Sequence, residues 1–123
     1  MHKLLLTLLL LVTAPVFSTV EEDYGLVESK SIKVGGVYKD GPARSHAYLS
    51  RLRGPNGEKV VFDRKGSCCD FQTANSGLNN TGYLDRYQVS YSGLAKPIFI
   101  YINIYDEAEV FPVKGFTLDS KNR

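Results

Sequence analysis

The sequence predicts a small α+β domain, in which an antiparallel sheet of four to five strands carries one helix packed on one face. Two segments, residues 83–91 and 98–105, alternate apolar and polar side chains with the period of a β-strand. A third segment, residues 43–52, repeats its apolar residues at helical spacing. One helix among several strands favours an antiparallel sheet with a single covered face. An all-β sandwich, in which both faces of the sheet are buried, is the alternative.

The first residues have the pattern of a cleavable signal peptide. His2 and Lys3 form a short polar and basic start, and residues 4–12 are apolar except for Thr7. This apolar run is shorter than the about 20 residues needed to span a bilayer. The residues that follow suit cleavage after Ser18. We therefore expect a periplasmic or secreted protein with no membrane span after processing.

Removal of residues 1–18 defines the rest of the domain organisation. The 123-residue chain then keeps 105 residues, which is enough for one domain with a modest core. Residues 19–30 begin with an acidic run and show little periodicity, so we predict a flexible leader there. Residues 31–123 are predicted to form a single small domain. Loss of Lys3 leaves 14 basic against 13 acidic residues, and this balance predicts no nucleic-acid partner.

The predicted elements follow in order along the mature chain. Residues 31–38 alternate until a Gly-Gly pair and predict a short strand. The Asp-Gly-Pro run at 40–42 predicts a capped helix start, and the Gly-Pro pair at 54–55 predicts its end. A second strand at 59–65, a polar loop at 72–82, the two clear strands and a weak edge strand at 110–118 complete the set.

The two clear strands are predicted to form a hairpin whose register gathers the isoleucines on one face. A one-residue slip would scatter these apolar side chains over both faces of the sheet. The expected register pairs Tyr91 with Ile98, Val89 with Ile100, Tyr87 with Ile102 and Asp85 with Ile104.

The other face of this hairpin is the candidate binding surface. Aromatic rings supply contact area, and the amide and guanidinium groups between them orient a ligand, so this face suits a sugar, a peptide or a protein. Ordinary cross-strand pairing is the alternative interpretation. The candidate residues are Arg86, Gln88, Phe99, Tyr101, Asn103 and Tyr105.

Cys68 and Cys69 are adjacent and are the only cysteines of the chain. Neighbouring Cα atoms lie about 3.8 Å apart, whereas ordinary disulfides prefer about 4.4 to 6.8 Å. Three interpretations stay open: two thiols with at least one in the core, a strained vicinal disulfide that rigidifies a turn at 66–67, and redox catalysis or metal binding. The spacing is not Cys-x-x-Cys, which counts against the last of these.

The remaining candidates for chemistry are isolated residues. His46 is the only histidine after residue 18, and it would need a cysteine beside it to act as a base for a nucleophile. No glycine-rich phosphate loop, serine-elbow motif or metal-ligating histidine pair is present in the sequence. The acidic run at 106–109 is expected to solvate a turn. We thus predict no catalytic residues, no cofactor and no metal, with an enzyme disfavoured.

Three stretches of the chain carry a resemblance to known proteins: residues 48–58, residues 64–71 with Gly-Ser-Cys-Cys, and residues 84–94. With them the chain resembles a group of small exported bacterial proteins whose activity is not established. Its members are sometimes labelled 2-dehydro-3-deoxyphosphooctonate aldolase. Such an aldolase is a (β/α)₈ barrel of about 250 residues with phosphate-binding loops. A 105-residue exported domain with one helix does not supply these, so the resemblance implies a bacterial envelope location only.

Two functional hypotheses follow from these patterns, with a third as a minor alternative. The first is a non-catalytic envelope or secreted domain that binds an envelope protein or a glycan through the aromatic face. The second is a thiol redox or sensor protein that uses Cys68 and Cys69. The third, an enzyme, would pair one of these cysteines with His46.

Overall fold

The computed structural model of this chain describes residues 20–37, 39–77 and 79–120. The predicted signal peptide and its cleavage site lie outside the described residues. Within them a short 3-10 helix, Glu28–Lys30, precedes one α-helix and six strands. These are β1 (Ile32–Lys33), α1 (Gly41–Arg51), β2 (Leu52–Arg53), β3 (Val60–Gln72), β4 (Thr81–Tyr91), β5 (Ile98–Asn103) and β6 (Thr117–Leu118).

The main sheet has four strands in the order β1-β5-β4-β3, and β2 pairs with β6 in a small separate sheet. This arrangement confirms the predicted α+β class. The sheet is mixed rather than purely antiparallel, because β1 runs parallel to β5 with Ile32 opposite Ile102. The pairs β3 with β4 and β4 with β5 are antiparallel, as predicted. Among the described residues no helix is both long and apolar enough to cross a membrane.

Helix α1 covers the isoleucine face of the sheet, as the apolar spacing predicts. Tyr48 and Leu49 of the helix join Ile100, Ile102 and Val89 in one buried cluster. The Tyr48 hydroxyl donates a hydrogen bond of 2.7 Å to the carbonyl oxygen of Phe111. This bond ties the segment after β5 to the helix, and burial raises the pKa of Tyr48 above its ordinary value.

The helix begins where the Asp-Gly-Pro run predicts, but Asp40 does not cap it with its side chain. The Asp40 carboxylate instead accepts a hydrogen bond from Nε of Arg44, at 3.1 Å. The same guanidinium donates to the carbonyl oxygen of Val34 and to Glu107. Arg44 therefore joins the helix start to the end of β1 and to the chain after β5.

The hairpin of β4 and β5 has the predicted faces in a different register. Val89 pairs with Ile98 and Tyr87 with Ile100, which is two residues away from the expected pairing. Tyr91 extends past β5, because it pairs with Val60 of β3 and its carbonyl accepts the Leu94 amide in the following turn. A shift of two residues preserves the side-chain alternation, so the isoleucines still face the core.

Strand β3 is about twice as long as the sequence pattern predicts. It continues through the glycine and serine at 66–67, where a turn is predicted, and ends at Gln72. The register against β4 shifts between Arg64 and Gly66 and again between Cys68 and Asp70. Each shift is a β-bulge, in which one extra residue of β3 is left without a partner on β4.

The predicted flexible leader is folded against the sheet over residues 20–30. The carbonyl of Gly25 accepts the Tyr101 amide of β5, and the Gly25 amide donates to Lys30. Gly25 has a φ of 77°, and a Cβ there would lie 2.8 Å from side-chain atoms of Ile32 and Val113. Only glycine fits this position, and periodicity does not reveal such a contact.

The tail differs from the single edge strand predicted for residues 110–118. Only Thr117–Leu118 is a strand, and it pairs with β2 rather than with the main sheet. Pro112 lies outside it, as expected for a residue that cannot donate to a ladder. Val113 and Phe116 of the tail belong to the same buried cluster as Tyr48 and Leu49 of α1.

Candidate functional site

The surface that the sequence predicts is present in part. Arg86 pairs with Tyr101 and Gln88 with Phe99 across β4 and β5, and all four lie on the face opposite α1. Val61 of β3 pairs with Ser90 and lies on the same face. Val61 is 70% exposed and Phe99 37% exposed, whereas Arg86, Gln88 and Tyr101 are half-buried. We call Val61, Arg86, Gln88, Phe99 and Tyr101 the open face.

The centre of the open face is a stacked pair. The guanidinium carbon of Arg86 lies 4.1 Å from the centroid of the Phe99 ring, within the range of a cation–π interaction. No carboxylate of the described residues forms an ion pair with Arg86, whereas neighbouring Lys65 is paired with Asp63 at 3.0 Å. The open face therefore carries one uncompensated positive charge beside apolar surface.

Asn103 and Tyr105 do not belong to the open face, which corrects the prediction for both. Asn103 is only 2% exposed. Its Oδ1 accepts the amides of Tyr105 and Asp106, so it stabilises the turn that ends β5. Tyr105 follows this turn and packs against Phe71, with ring centroids 5.7 Å apart. A Cβ on Gly82 would lie 2.9 Å from the Tyr105 ring, so glycine permits the contact.

Asp106 is held in a polar network and not simply solvated, unlike the expectation for the acidic run. Its Oδ1 accepts hydrogen bonds from Thr73 and Asn75, at 2.6 and 2.8 Å, and its Oδ2 accepts one from Asn103 at 3.0 Å. Burial of the carboxyl raises its pKa, but the three donors and the Lys33 charge outweigh that effect and lower the pKa overall. The network joins the loop after β3 to the turn after β5.

Cys68 and Cys69 form a disulfide, with sulfur atoms 2.05 Å apart and Cα atoms 3.7 Å apart. This is the second of the three interpretations, although the pair lies within a strand and not in a turn. Cys69 is the extra residue of the second bulge and has a φ of 44°, in the left-handed region. Both cysteines are partly buried. The disulfide thus joins Cys69, the bulge residue, to Cys68, which pairs with Leu84 of β4.

The structure does not bring His46 and the cysteines into one site. His46 lies on α1 with its ring 5.4 Å from Phe62 and 6.4 Å from Tyr87. Cys68 pairs with Leu84 of β4, which lies on the face of the sheet opposite α1, so Cys68 is on the opposite face from His46. Because the cysteines are bonded to each other, the proposed nucleophile and base are not assembled.

A second surface, which the sequence does not reveal, is a cleft of about 470 Å³. It lies between the first turns of α1 and the part of the β3–β4 ribbon that extends past the helix. Pro42 and His46 form the helix wall, and Ile104 lies at one end. The polar and aromatic lining residues are Arg64, Ser67, Asp85, Tyr83, Tyr87 and Tyr105.

The floor of the cleft is an ion pair with a bridging hydroxyl. Arg64 donates to Oδ1 of Asp85 at 2.8 Å and to Oγ of Ser67 at 3.1 Å. The Asp85 side chain is only 15% exposed, and the Arg64 guanidinium balances the charge of this mostly buried carboxylate. The hydrogen bond to Asp85 raises the pKa of Arg64. Burial and the Asp85 charge raise the pKa of Tyr87, against the opposing effect of Arg64.

A β-bulge explains why sequence alternation misses this cleft. Arg64 and Ser67 are three residues apart, so a regular strand would place them on opposite faces. The extra residue between Arg64 and Gly66 shifts the alternation and brings both side chains to Asp85. A glycine within a strand, here Gly66 with φ 109°, is the one sequence signal for such a bulge.

Comparison with known proteins finds no match to this chain among protein families, curated proteins or solved structures. Within residues 20–37, 39–77 and 79–120, no group of three or more His, Cys, Asp or Glu side chains is placed to hold a metal ion. The open face, the disulfide and the cleft are therefore the features that bear on function.

Proposed function

We propose that this chain is a non-catalytic, exported domain of the cell envelope and that its open face binds another protein. One observation carries the proposal: the Arg86–Phe99 stack lies beside Val61 on a part of the sheet face that is exposed in the described chain. Arginine and aromatic residues are enriched at the centres of protein interfaces, where they contribute most of the binding energy. The predicted signal peptide supports export.

The Arg86 stack also favours a protein over a glycan as the partner. A sugar ring binds an aromatic side chain by lying on the face of the ring. On Phe99 the guanidinium of Arg86 lies over the ring at 4.1 Å, so a sugar would have to displace it. A protein carboxylate can instead pair with Arg86 while apolar groups contact Val61 and the exposed part of Phe99. We therefore expect a partner with an acidic residue beside an apolar patch.

Site-specific photo-crosslinking in cells tests this proposal. A photoreactive amino acid at Gln88, which lies opposite Phe99 across β4 and β5, is expected to give one discrete adduct with a different protein, identified by mass spectrometry. Arg86→Glu should abolish the adduct, because it reverses the charge, whereas Arg86→Lys should weaken it only in part. The same amino acid at Lys114, an exposed tail residue, is the control and should give no such adduct.

Two outcomes would overturn the proposal. An adduct between two copies of this chain would mean that the open face is a dimer interface. No adduct at Gln88, or an adduct unchanged by Arg86→Glu, would mean that Arg86 does not contact a partner.

A thiol redox or sensor role is a second candidate, and the disulfide between Cys68 and Cys69 is the observation that favours it. A reducing dithiol would pass two electrons and two protons to the two sulfurs and would itself become a disulfide. Intact mass after alkylation, with and without prior reduction, tests this candidate. A single disulfide in the untreated protein and two alkylated thiols after mild reduction are expected. Two alkylated thiols without reduction would rule out a resident disulfide, which is the observation that favours this candidate.

A further inference from the structure

The cleft beside α1 has the size and lining of a small-molecule site. Its volume of about 470 Å³ lies within the range of about 300 to 1,000 Å³ that is usual for ligand pockets. It is separate from the open face. Asp85 and Ser67 of the cleft are each next in sequence to a residue of the other sheet face, Arg86 and Cys68 respectively, and neighbouring residues of a strand point to opposite faces. A ligand in the cleft and a protein on the open face would therefore occupy opposite faces of the sheet.

The charges of the cleft favour a neutral ligand. The Arg64 guanidinium lies 2.8 Å from the Asp85 carboxylate, so each cancels most of the field of the other. An anion would be repelled by Asp85 as much as it is attracted by Arg64. A cation would meet the reverse balance.

The hydrogen-bonding groups of the cleft suit hydroxyl groups. Oδ2 of Asp85 accepts no hydrogen bond from the described residues, because both bonds to this carboxylate end on Oδ1. It remains able to accept a ligand hydroxyl proton. The Arg64 guanidinium lies next to it as a donor, while the Ser67 hydroxyl gives its one proton to Oδ1 of Asp85. A saccharide hydroxyl can donate to the carboxylate and accept from the guanidinium at the same time.

The walls of the cleft supply the apolar surface that a sugar ring needs. Tyr83 lines the cleft and is 52% exposed, which is unusual for a large aromatic ring of a sheet. The Tyr83 side chain forms no hydrogen bond or ring contact with another of the described residues, although its backbone pairs with Asp70 of β3. Tyr105 lines the same cleft near the polar floor. An aromatic wall beside a carboxylate, a hydroxyl and a guanidinium can bind the C–H face and the hydroxyl edge of one ring.

From this arrangement we infer that the cleft is a binding site for a neutral saccharide, with Tyr83 stacked on the sugar ring and Asp85 bound to its hydroxyl groups. The inference goes beyond the protein-binding role of the open face. It does not depend on that role, because the two sites share no residue.

Amide NMR titration of the mature protein tests this inference. The probes are glucose, N-acetylglucosamine, cellobiose and chitobiose, each in millimolar excess, with glucuronate and inorganic phosphate as anionic probes. At least one neutral saccharide is expected to shift the amides of His46, Ser67 and Tyr83 in a saturable way. Tyr83→Ala and Asp85→Asn should each weaken that binding about tenfold or more, since each removes one of the two main contacts.

The controls separate binding from folding and from the open face. Tyr83 is half exposed and Asp85→Asn preserves shape, so both variants should keep the native pattern of amide signals elsewhere. Phe99→Ala, on the open face, should leave saccharide affinity unchanged. The inference is overturned if none of the four saccharides shifts the cleft amides, or if phosphate or glucuronate shifts them at lower concentration than every saccharide.

Discussion

The ribbon formed by β3 and β4 has two halves that differ in how they are stabilised. In the covered half, residues 60–64 pair regularly with residues 87–91 beneath α1. In the bulged half, residues 65–72 pair with residues 81–86 across two register shifts and extend past the helix. The disulfide, the cleft and the Asp106 network all belong to the bulged half or contact it.

The two halves differ in the contacts that supplement apolar burial. Val60 and Val89 of the covered half are buried against helix residues. In the bulged half Leu84 is buried as well, and the hydrogen bond from Thr73 to Asp106 and the disulfide add to that burial. The Arg64–Asp85 ion pair joins the two halves. A regular strand suffices for the burial of Val60 and Val89, whereas the first bulge is needed to bring both Arg64 and Ser67 to Asp85.

The largest effect is expected in the covered half, for Leu49→Ala. Leu49 is fully buried between α1 and the sheet, and its truncation leaves a cavity. We expect the free energy of unfolding to fall by about 3 kcal/mol, measured by urea titration. Ser50→Ala, one residue further along the exposed side of the helix, should change it by less than about 0.5 kcal/mol. A loss as small for Leu49 as for Ser50 would mean that α1 does not stabilise the covered half.

A smaller effect that depends on pH is expected for Asp106→Asn. The variant loses a charged acceptor for three donors, so we expect it to lose about 1 to 2 kcal/mol at neutral pH. The lowered pKa of Asp106 means that the unfolded state takes up the proton first as pH falls. The stabilisation is therefore complete above the ordinary value of 3.8 and is lost below it, through the folded-state pKa.

Urea titrations of the original protein and of Asp106→Asn, between neutral and strongly acidic pH, measure the difference in their free energies of unfolding. This difference should narrow as pH falls below the ordinary aspartate pKa. Glu109→Gln, an exposed acid of the same run, is the control and should show no comparable difference. A stability gap that stays constant with pH would show that the Asp106 charge is not the source of the stabilisation.

The smallest effect is expected for the exchange of serine for glycine at position 69. The sign of the resulting change in the free energy of unfolding distinguishes the two halves. Without the disulfide, Cys68→Ser with Cys69→Gly should be more stable than Cys68→Ser with Cys69→Ser by about 1 kcal/mol. The reason is that glycine adopts a φ of 44° without the penalty of a side chain. In the covered half the order should reverse, with Val61→Ser more stable than Val61→Gly. Equal stability of the two Cys69 variants would mean that the second bulge does not persist without the disulfide.

Local patterning predicted the covered half well. The helix, the faces of β4 and β5 and the isoleucine core follow from spacing, because burial on one side requires a fixed period. The end of the helix does not: α1 ends at Arg51, before the predicted Gly-Pro stop, and Leu52–Arg53 forms β2. Four of the six proposed binding residues share the open face for the same reason. The register was wrong by two residues, since a shift of two conserves every face and leaves the pattern unchanged.

The bulged half was predicted least well. Each bulge reverses the alternation of faces, so the pattern after Arg64 no longer indicates where a side chain lies. The alternation pattern predicted that β5 continues to Tyr105 with Asn103 and Tyr105 on its exposed face. The strand instead ends at Asn103, whose side chain is only 2% exposed and stabilises the turn that follows. The leader was predicted flexible because the packing of Gly25 against Ile32 and Val113 leaves no periodic trace.

The sequence by itself determined the α+β class, the one helix and the apolar face of the sheet, because these depend on contacts that repeat along the chain. It also determined that the two cysteines are neighbours. Only the tertiary structure decided that they bond to each other within a bulge and that Arg64, Ser67 and Asp85 meet in a cleft. Those features depend on side chains from separate strands meeting at one place, and a local pattern carries no information about such meetings.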